Sequence, residues 1–172
     1  FAIIQCRAYS GKSEIYLIQN KLINADNAIT LALQYDAPEY NHNSSALHGI
    51  IALRQGDDVA ARGAFVRAIG QADEILSKTA EFYSALDAKG LAICGLILCR
   101  GAVPAPNVDG ANTGQGDPAP TVDDAIETFR KARKIAPHAG VVKANLRLFD
   151  ELVKCEGGEI LKDVRNAVEG VE

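Results

Sequence analysis

Apolar side chains recur along most of this chain at intervals of three and four residues, the spacing that places them on one face of an α-helix. The helices predicted in this way span residues 1–9, 13–23, 27–35, 42–54, 57–76, 79–99, 121–136, 140–154 and 160–168. The apolar and polar alternation that is typical of strands is missing, and few residues are aromatic. The pattern therefore predicts an all-α protein rather than a β-sandwich.

Turn-forming residues separate the predicted helices. We expect a turn with a capping residue at Asn24-Ala25-Asp26, and Pro38 with the polar residues after it ends the third helix and with it the first hairpin. Gly56 ends the fourth, after which Asp57 or Asp58 caps the helix that follows. These breaks group the helices into consecutive pairs, each joined by a short turn.

One connection is much longer than the others. Residues 101–120 hold four of the six prolines and several glycines, and no apolar periodicity survives there, which predicts a loop inserted between two helices of one pair. Thr121 or Asp123 caps the helix that follows. If Gly101 ends a helix as Gly56 does, these two glycines are 11 residues further apart than a 34-residue repeat. Eleven residues are about three helical turns, so we expect unusually long helices around residues 57–99.

A spacing of small and aromatic residues occurs twice along the chain. It is formed by Ala61, Phe65 and Ala68, and again by Ala125, Phe129 and Ala132. Gly49 and the pair Gly56-Asp57 precede the first copy, and Pro137 follows the second. Small residues one turn from an aromatic side chain indicate two helices in close contact.

These residues resemble the tetratricopeptide repeat (TPR), in which a small residue lets helix A approach an aromatic residue of helix B. Asp73 stands where that repeat has its closing proline in the first copy, and only Pro137 supplies it in the second. The resemblance implies a right-handed superhelical array of antiparallel helix pairs, a TPR-like α-solenoid. We expect about three and a half repeats and a C-terminal capping helix, all within one domain spanning residues 1–172.

A second resemblance concerns a whole class of proteins. The turn Arg54-Gln55-Gly56-Asp57 and the closing helix with Val141, Val142 and Phe149 are similar to the C-terminal sensor repeats of bacterial signalling ATPases of the STAND class. The chain has no methionine and starts at Phe1 within a predicted helix, so we expect it to be part of a larger protein.

Charge and cysteine content narrow the partners. The formal net charge of −4, from 18 basic and 22 acidic residues, argues against nucleic-acid binding. The longest apolar run, at residues 91–99, is far shorter than the ~20 residues that a membrane span needs. The four cysteines show no zinc-ligand spacing and fit buried thiols in a cytoplasmic protein.

No catalytic or cofactor motif is complete. Ser10-Gly11-Lys12-Ser13 is similar to the end of a phosphate-binding loop, but Cys6 replaces the required glycine. Residues 109–114 are similar to a calcium loop, but Ala111 and Pro120 replace oxygen ligands. We therefore predict a protein that is not an enzyme and binds no cofactor or metal.

The resemblance to TPR arrays implies that the first helix of each pair forms a concave binding face. The residues that we place on this face are Asn20, Asn43, Ile50 and Arg54. A second candidate surface is a basic docking patch for an acidic segment, formed by Arg130, Lys131, Lys134 and Arg147.

We therefore expect a scaffold that binds a peptide, a protein or a neighbouring domain of the same chain. Two alternatives stay open. One is a small-molecule-responsive sensor with a deep pocket. The other is an assembly or accessory subunit that forms a homodimer through an exposed apolar terminal helix, at residues 1–9 or 160–168.

Overall fold

The computed structural model describes residues 1–99 and 119–171, and within these two ranges the chain is helical and has no β-strand. The helices are α1 (Ala2–Ile18), α2 (Leu22–Ala32), α3 (Asn41–Arg54), α4 (Asp58–Lys78), α5 (Tyr83–Leu98), α6 (Val122–Ile135), α7 (Ala139–Val153) and α8 (Val164–Glu169). A short 3-10 segment, Gly158–Leu161, precedes α8. The predicted all-α class is confirmed.

The turn chemistry around α4 and α6 confirms the predicted starts of these helices. The Asp57 side chain accepts a hydrogen bond from the backbone N–H of Ala60 at 3.0 Å. Thr121 and Asp124 form a reciprocal capping box at the start of α6, so two unpaired backbone donors are satisfied. At 21 residues α4 is long, as predicted, since the mean α-helix has about 11–12 residues.

The turn predicted at Asn24-Ala25-Asp26 is wrong, because these residues lie within α2. The chain turns earlier, at Asn20, whose φ of 58° is left-handed, a conformation that asparagine adopts more readily than most residues. Residues 1–9 and 13–18 form one continuous helix rather than two. The Ser13 hydroxyl donates to the carbonyl of Ala25 at 2.7 Å, so this buried hydroxyl has a hydrogen-bond partner within the contact of α1 with α2.

Two aromatic rings mark close helix contacts. Phe65 of α4 is fully buried between Gly49 of α3 and Gly95 of α5, and Phe129 of α6 lies against Gly90 of α5. A Cβ atom on any of these glycines would approach the facing ring to less than 3.0 Å. The pairing of Gly49 with Phe65 agrees with the sequence prediction, and Gly90 is its counterpart for the second copy.

Helices adjacent in sequence pack together as α1–α2, α2–α3, α3–α4, α4–α5 and α5–α6, and α8 packs on α6 and α7. The odd-numbered helices also contact one another, as α1–α3, α3–α5 and α5–α7. In addition α7 contacts α3, so α7 packs against both α3 and α5. The loop predicted at residues 101–120 and the calcium-like run at 109–114 lie outside the described residues, except for residues 119 and 120.

Candidate functional site

A cleft of about 380 Å³ opens between α1, α3, α5 and α7. Its apolar wall is formed by Leu47, Leu91, Val141 and Leu148. Its polar wall is formed by Tyr40, Asn43, Tyr83 and Ser84. The cleft therefore combines apolar area with amide, hydroxyl and phenol groups, the composition of a binding site for a partly apolar ligand.

A hydrogen-bond network fixes the polar wall. The Asn43 amide nitrogen donates to Nε2 of His42 at 3.0 Å and lies 2.9 Å from the Ser84 hydroxyl. An amide nitrogen only donates, so Nε2 is an acceptor and the proton of the neutral ring lies on Nδ1. Among the described residues this buried Nδ1 has no hydrogen-bond partner. The network holds the Asn43 carboxamide at the cleft in one orientation.

His42 itself behaves as a buried neutral imidazole. Its side chain has no exposed surface, and burial lowers its pKa to about 4, since desolvation disfavours the charged ring. The Ser84 hydroxyl lies 3.2 Å from Nε2, a pairing of serine and histidine that the sequence analysis missed because 42 residues separate them. A base this weak is poorly suited to activating the hydroxyl at neutral pH.

A buried ionic cluster ties α7 to α5 and α6. The Asp87 carboxylate accepts hydrogen bonds from Arg133 of α6 and, at 2.8 Å, from Asn145 of α7. Burial raises the pKa of Asp87, and the Arg133 guanidinium opposes this rise. Asp87 and Asn145 also line the cleft, so the cluster fixes where its α5 and α7 walls meet.

Two further ion pairs hold α7 against α3 and α1. Arg54 of α3 donates to Glu151 of α7 at 2.5 Å, and both side chains are largely buried. Arg147 of α7 lies 3.7 Å from Glu14 of α1, and burial raises the pKa of Glu14 although Arg147 opposes the rise. Glu14 also lines the cleft, whereas Arg54 and Glu151 hold α7 to α3 without contributing to its lining.

The structure separates the four residues that we placed on a binding face. Asn43 lines the cleft. Ile50 is fully buried in the core, because α7 and the neighbouring helices cover α3, so it packs and presents no surface to a partner. The Arg54 guanidinium is used by Glu151 and by the Asn20 side-chain oxygen at 2.7 Å.

The basic docking patch is also divided. Arg130 and Lys134 flank one hollow beside the end of α8. Lys131 pairs with Glu127 and borders a different hollow with α4 and α5, whereas Arg147 faces α1. A docking role for Arg130 and Lys134 stays a prediction.

The serines of the phosphate-loop-like run point into the helix contacts. The Ser10 hydroxyl lies 2.9 Å from the Ser44 hydroxyl, and Ser13 bonds Ala25 as described above. Both are buried. Ser10 is paired with Ser44 and Ser13 with the backbone of Ala25, so neither hydroxyl is directed at a phosphate site.

The cysteines are reduced, and burial raises the pKa of the Cys94, Cys99 and Cys155 thiols, to about 11 for the last two. Thiols with raised pKa values are weak nucleophiles at neutral pH. Within residues 1–99 and 119–171, no three His, Cys, Asp or Glu side chains are grouped as metal ligands.

No helix in the described ranges is both long enough and apolar enough to cross a bilayer. No protein-family model, curated protein or solved structure matches this chain. The case for its function therefore rests on the cleft and on the packing that builds it.

Proposed function

We propose that this chain is a TPR-like helical-repeat domain that binds an extended peptide, from a partner protein or a neighbouring domain, in the cleft between α1, α3, α5 and α7. The observation that carries the proposal is the fixed carboxamide of Asn43 in a cleft that is also lined by apolar side chains. An extended peptide offers unpaired backbone N–H groups. Both amide hydrogens of Asn43 are used by His42 and Ser84, so its side-chain oxygen, which has two lone pairs, is the atom that accepts from such an N–H.

The repeat architecture of the proposal is supported by the packing of two aromatic residues. Phe65 against Gly49 and Phe129 against Gly90 repeat the same close contact in two successive units. In the proposed right-handed array of antiparallel helix pairs, the odd-numbered helices form the inner face and α8 caps the end. A sensor role in a STAND-class ATPase rests on the sequence resemblance alone.

The fold of α7 limits what can bind. In an open array the inner face would extend over α3, but α7 covers part of it and pairs with Arg54. The remaining cleft of about 380 Å³ accepts only a few side chains, so we expect a short anchor segment rather than a long helix.

The charge that the cleft offers to a peptide is positive. The carboxylates at the cleft are paired, Glu14 with Arg147 and Asp87 with Arg133, whereas Arg7 lines the cleft over the Tyr40 ring. Recognition then depends on hydrogen bonds to Asn43 and on the fit of an apolar side chain. A peptide carboxylate near Arg7 should add a contact that weakens as the salt concentration rises.

The size of the cleft favours a second candidate, the small-molecule-responsive sensor. Its volume of about 380 Å³ lies within the range of roughly 300–1,000 Å³ that is usual for small-molecule pockets. A compact ligand with an apolar body and one or two hydrogen-bonding groups would meet the same walls.

Gly140 offers a way to test binding without disturbing the fold. It lines the cleft on α7, and a Cβ atom there would meet nothing within 4 Å. Gly140→Phe should therefore fill the cleft. Gly70→Phe is the matched control, because Gly70 is exposed on α4 and its added Cβ also meets nothing within 4 Å.

The experiment is selection of a displayed random peptide library on the wild-type chain, followed by titration of the selected peptides against both variants. We expect affinity to fall at least about tenfold with Gly140→Phe and to be unchanged with Gly70→Phe. Peptides that bind both variants and wild type equally would contradict the proposal. The sensor would be favoured if the library yields no peptide and a thermal-shift screen finds a small molecule that stabilises the wild type but not Gly140→Phe.

A further inference from the structure

The outer face of α1 carries a continuous apolar stripe. Its members follow one another at intervals of three, four, three, four and three residues, and are Phe1, Ile4, Ala8, Gly11, Ile15 and Ile18. The four large side chains are 88%, 67%, 56% and 43% exposed in chain order. This alternating spacing is that of the contact positions of a two-helix coiled coil.

The opposite face of α1 already has its partners. Its buried residues, Cys6, Ser10, Ser13 and Leu17, face the helices that α1 contacts, α2 and α3. A helix advances 100° per residue, so the stripe points almost directly away from this buried face. Scattered apolar residues on a surface are ordinary, but a contiguous row along a helix indicates an interaction surface.

The order of side chains along the stripe is symmetric about its centre. When a second copy of the stripe runs antiparallel to the first, Phe1 lies opposite Ile18, Ile4 opposite Ile15, and Ala8 opposite Gly11. The small pair lies at the centre, where two helices can approach closely, and the large residues fill the space on both sides. This self-complementarity is what a two-fold interface between identical chains requires.

We propose that α1 packs antiparallel against α1 of a second copy of this chain. The inference goes beyond peptide binding in the cleft and does not depend on it.

The charged edge of the stripe belongs to the cleft and not to the proposed interface. Arg7 and Glu14 both line the cleft, where Glu14 lies 3.7 Å from Arg147 and Arg7 lies over the Tyr40 ring. The choice of a second copy as the partner therefore rests on the self-complementary order of the apolar row.

A substitution at Gly11 can disrupt the proposed association without disrupting the fold. A Cβ atom on Gly11 meets nothing within 4 Å in the single chain, so Gly11→Arg leaves the fold intact and places a long charged side chain at the centre of the proposed interface. Gly70→Arg is the matched control, since Gly70 is an equally unobstructed helical glycine on α4.

The measurement is sedimentation equilibrium over protein concentrations from about 1 to 200 µM, in the affinity range of transient interfaces. We expect wild type and Gly70→Arg to pass from monomer to dimer with rising concentration, and Gly11→Arg to stay monomeric with an unchanged circular dichroism spectrum. A wild-type monomer throughout, or a dimer that Gly11→Arg leaves intact, would overturn the proposal, because another helix or no partner would then cover the stripe.

The antiparallel register has a separate test. Ile4→Lys and Ile15→Glu each place two charges in the apolar row of a homodimer, so each variant alone should dimerise at least about tenfold more weakly. Mixed in equal amounts, they form a heterodimer in which the introduced lysine faces the introduced glutamate and the other isoleucine pair is intact. Native mass spectrometry should show this heterodimer in excess over both homodimers, and a statistical mixture would rule out the register.

Discussion

Phe65 is held between two glycines from different helices, and this arrangement gives the sharpest prediction for the fold. A Cβ atom on Gly95 would lie 2.7 Å from Cδ2 of Phe65 and nearer still to two other ring atoms. The ring cannot move aside, because Gly49 of α3 confines its other face and no part of the side chain is exposed. The substitution Gly95→Ala should therefore strain the contact between α4 and α5.

The expected size follows from two opposing effects. Overpacking a core typically costs about 1–3 kcal/mol, and confinement of the ring on both faces places this case at the upper end. Alanine gains about 1 kcal/mol over glycine in a helix. Gly95→Ala should thus destabilise the chain by about 2 kcal/mol. Gly70→Ala, which meets no neighbour, should stabilise it by about 1 kcal/mol.

Urea unfolding monitored by circular dichroism measures both changes. The two variants should differ by about 3 kcal/mol, or roughly 6–12 °C in Tm for a chain of this size. In the background Phe65→Leu the penalty of Gly95→Ala should largely disappear, which gives a coupling energy of about 1–3 kcal/mol. If Gly95→Ala stabilises the chain as much as Gly70→Ala does, the inferred close contact of α5 with Phe65 is wrong.

Two other predictions concern buried polar groups. Arg54→Met should cost about 2 kcal/mol in urea unfolding, because Glu151 loses its buried partner and keeps only the half-exposed Lys154. Lys78→Met breaks an exposed pair and should leave stability nearly unchanged; equal losses would argue against the buried pair. The pKa of His42 is about 4 in the folded chain and about 6.5 when unfolded. As the pH falls from 6.5 towards 4, the unfolded chain takes up the proton first, and stability should fall by about 3 kcal/mol. His42→Gln should remove this part of the pH dependence, and an unchanged profile would show that His42 is not the group that titrates.

The sequence alone determined the helices whose apolar periodicity is strong and whose ends carry caps. The predicted bounds of α3, α4, α6 and α7 agree with the structure to within about two residues, with Asp57 and the Thr121 capping box at two of the starts. The repeated spacing around Phe65 and Phe129 also located close helix contacts. These features are local, since a helix face and a cap are set by residues within a few positions of one another.

Which of the predicted binding residues are accessible depends on packing between helices that are distant along the chain. The packing of α7 against α3 buries Ile50 and uses the Arg54 guanidinium, so the predicted face contracts to a cleft that keeps Asn43. The turn before α2 lies at Asn20 rather than at residues 24–26, because the contact of α2 with α1 favours helix there. Such outcomes depend on residues that are 12 to 97 positions apart, and periodicity along the chain carries no record of which distant faces will meet.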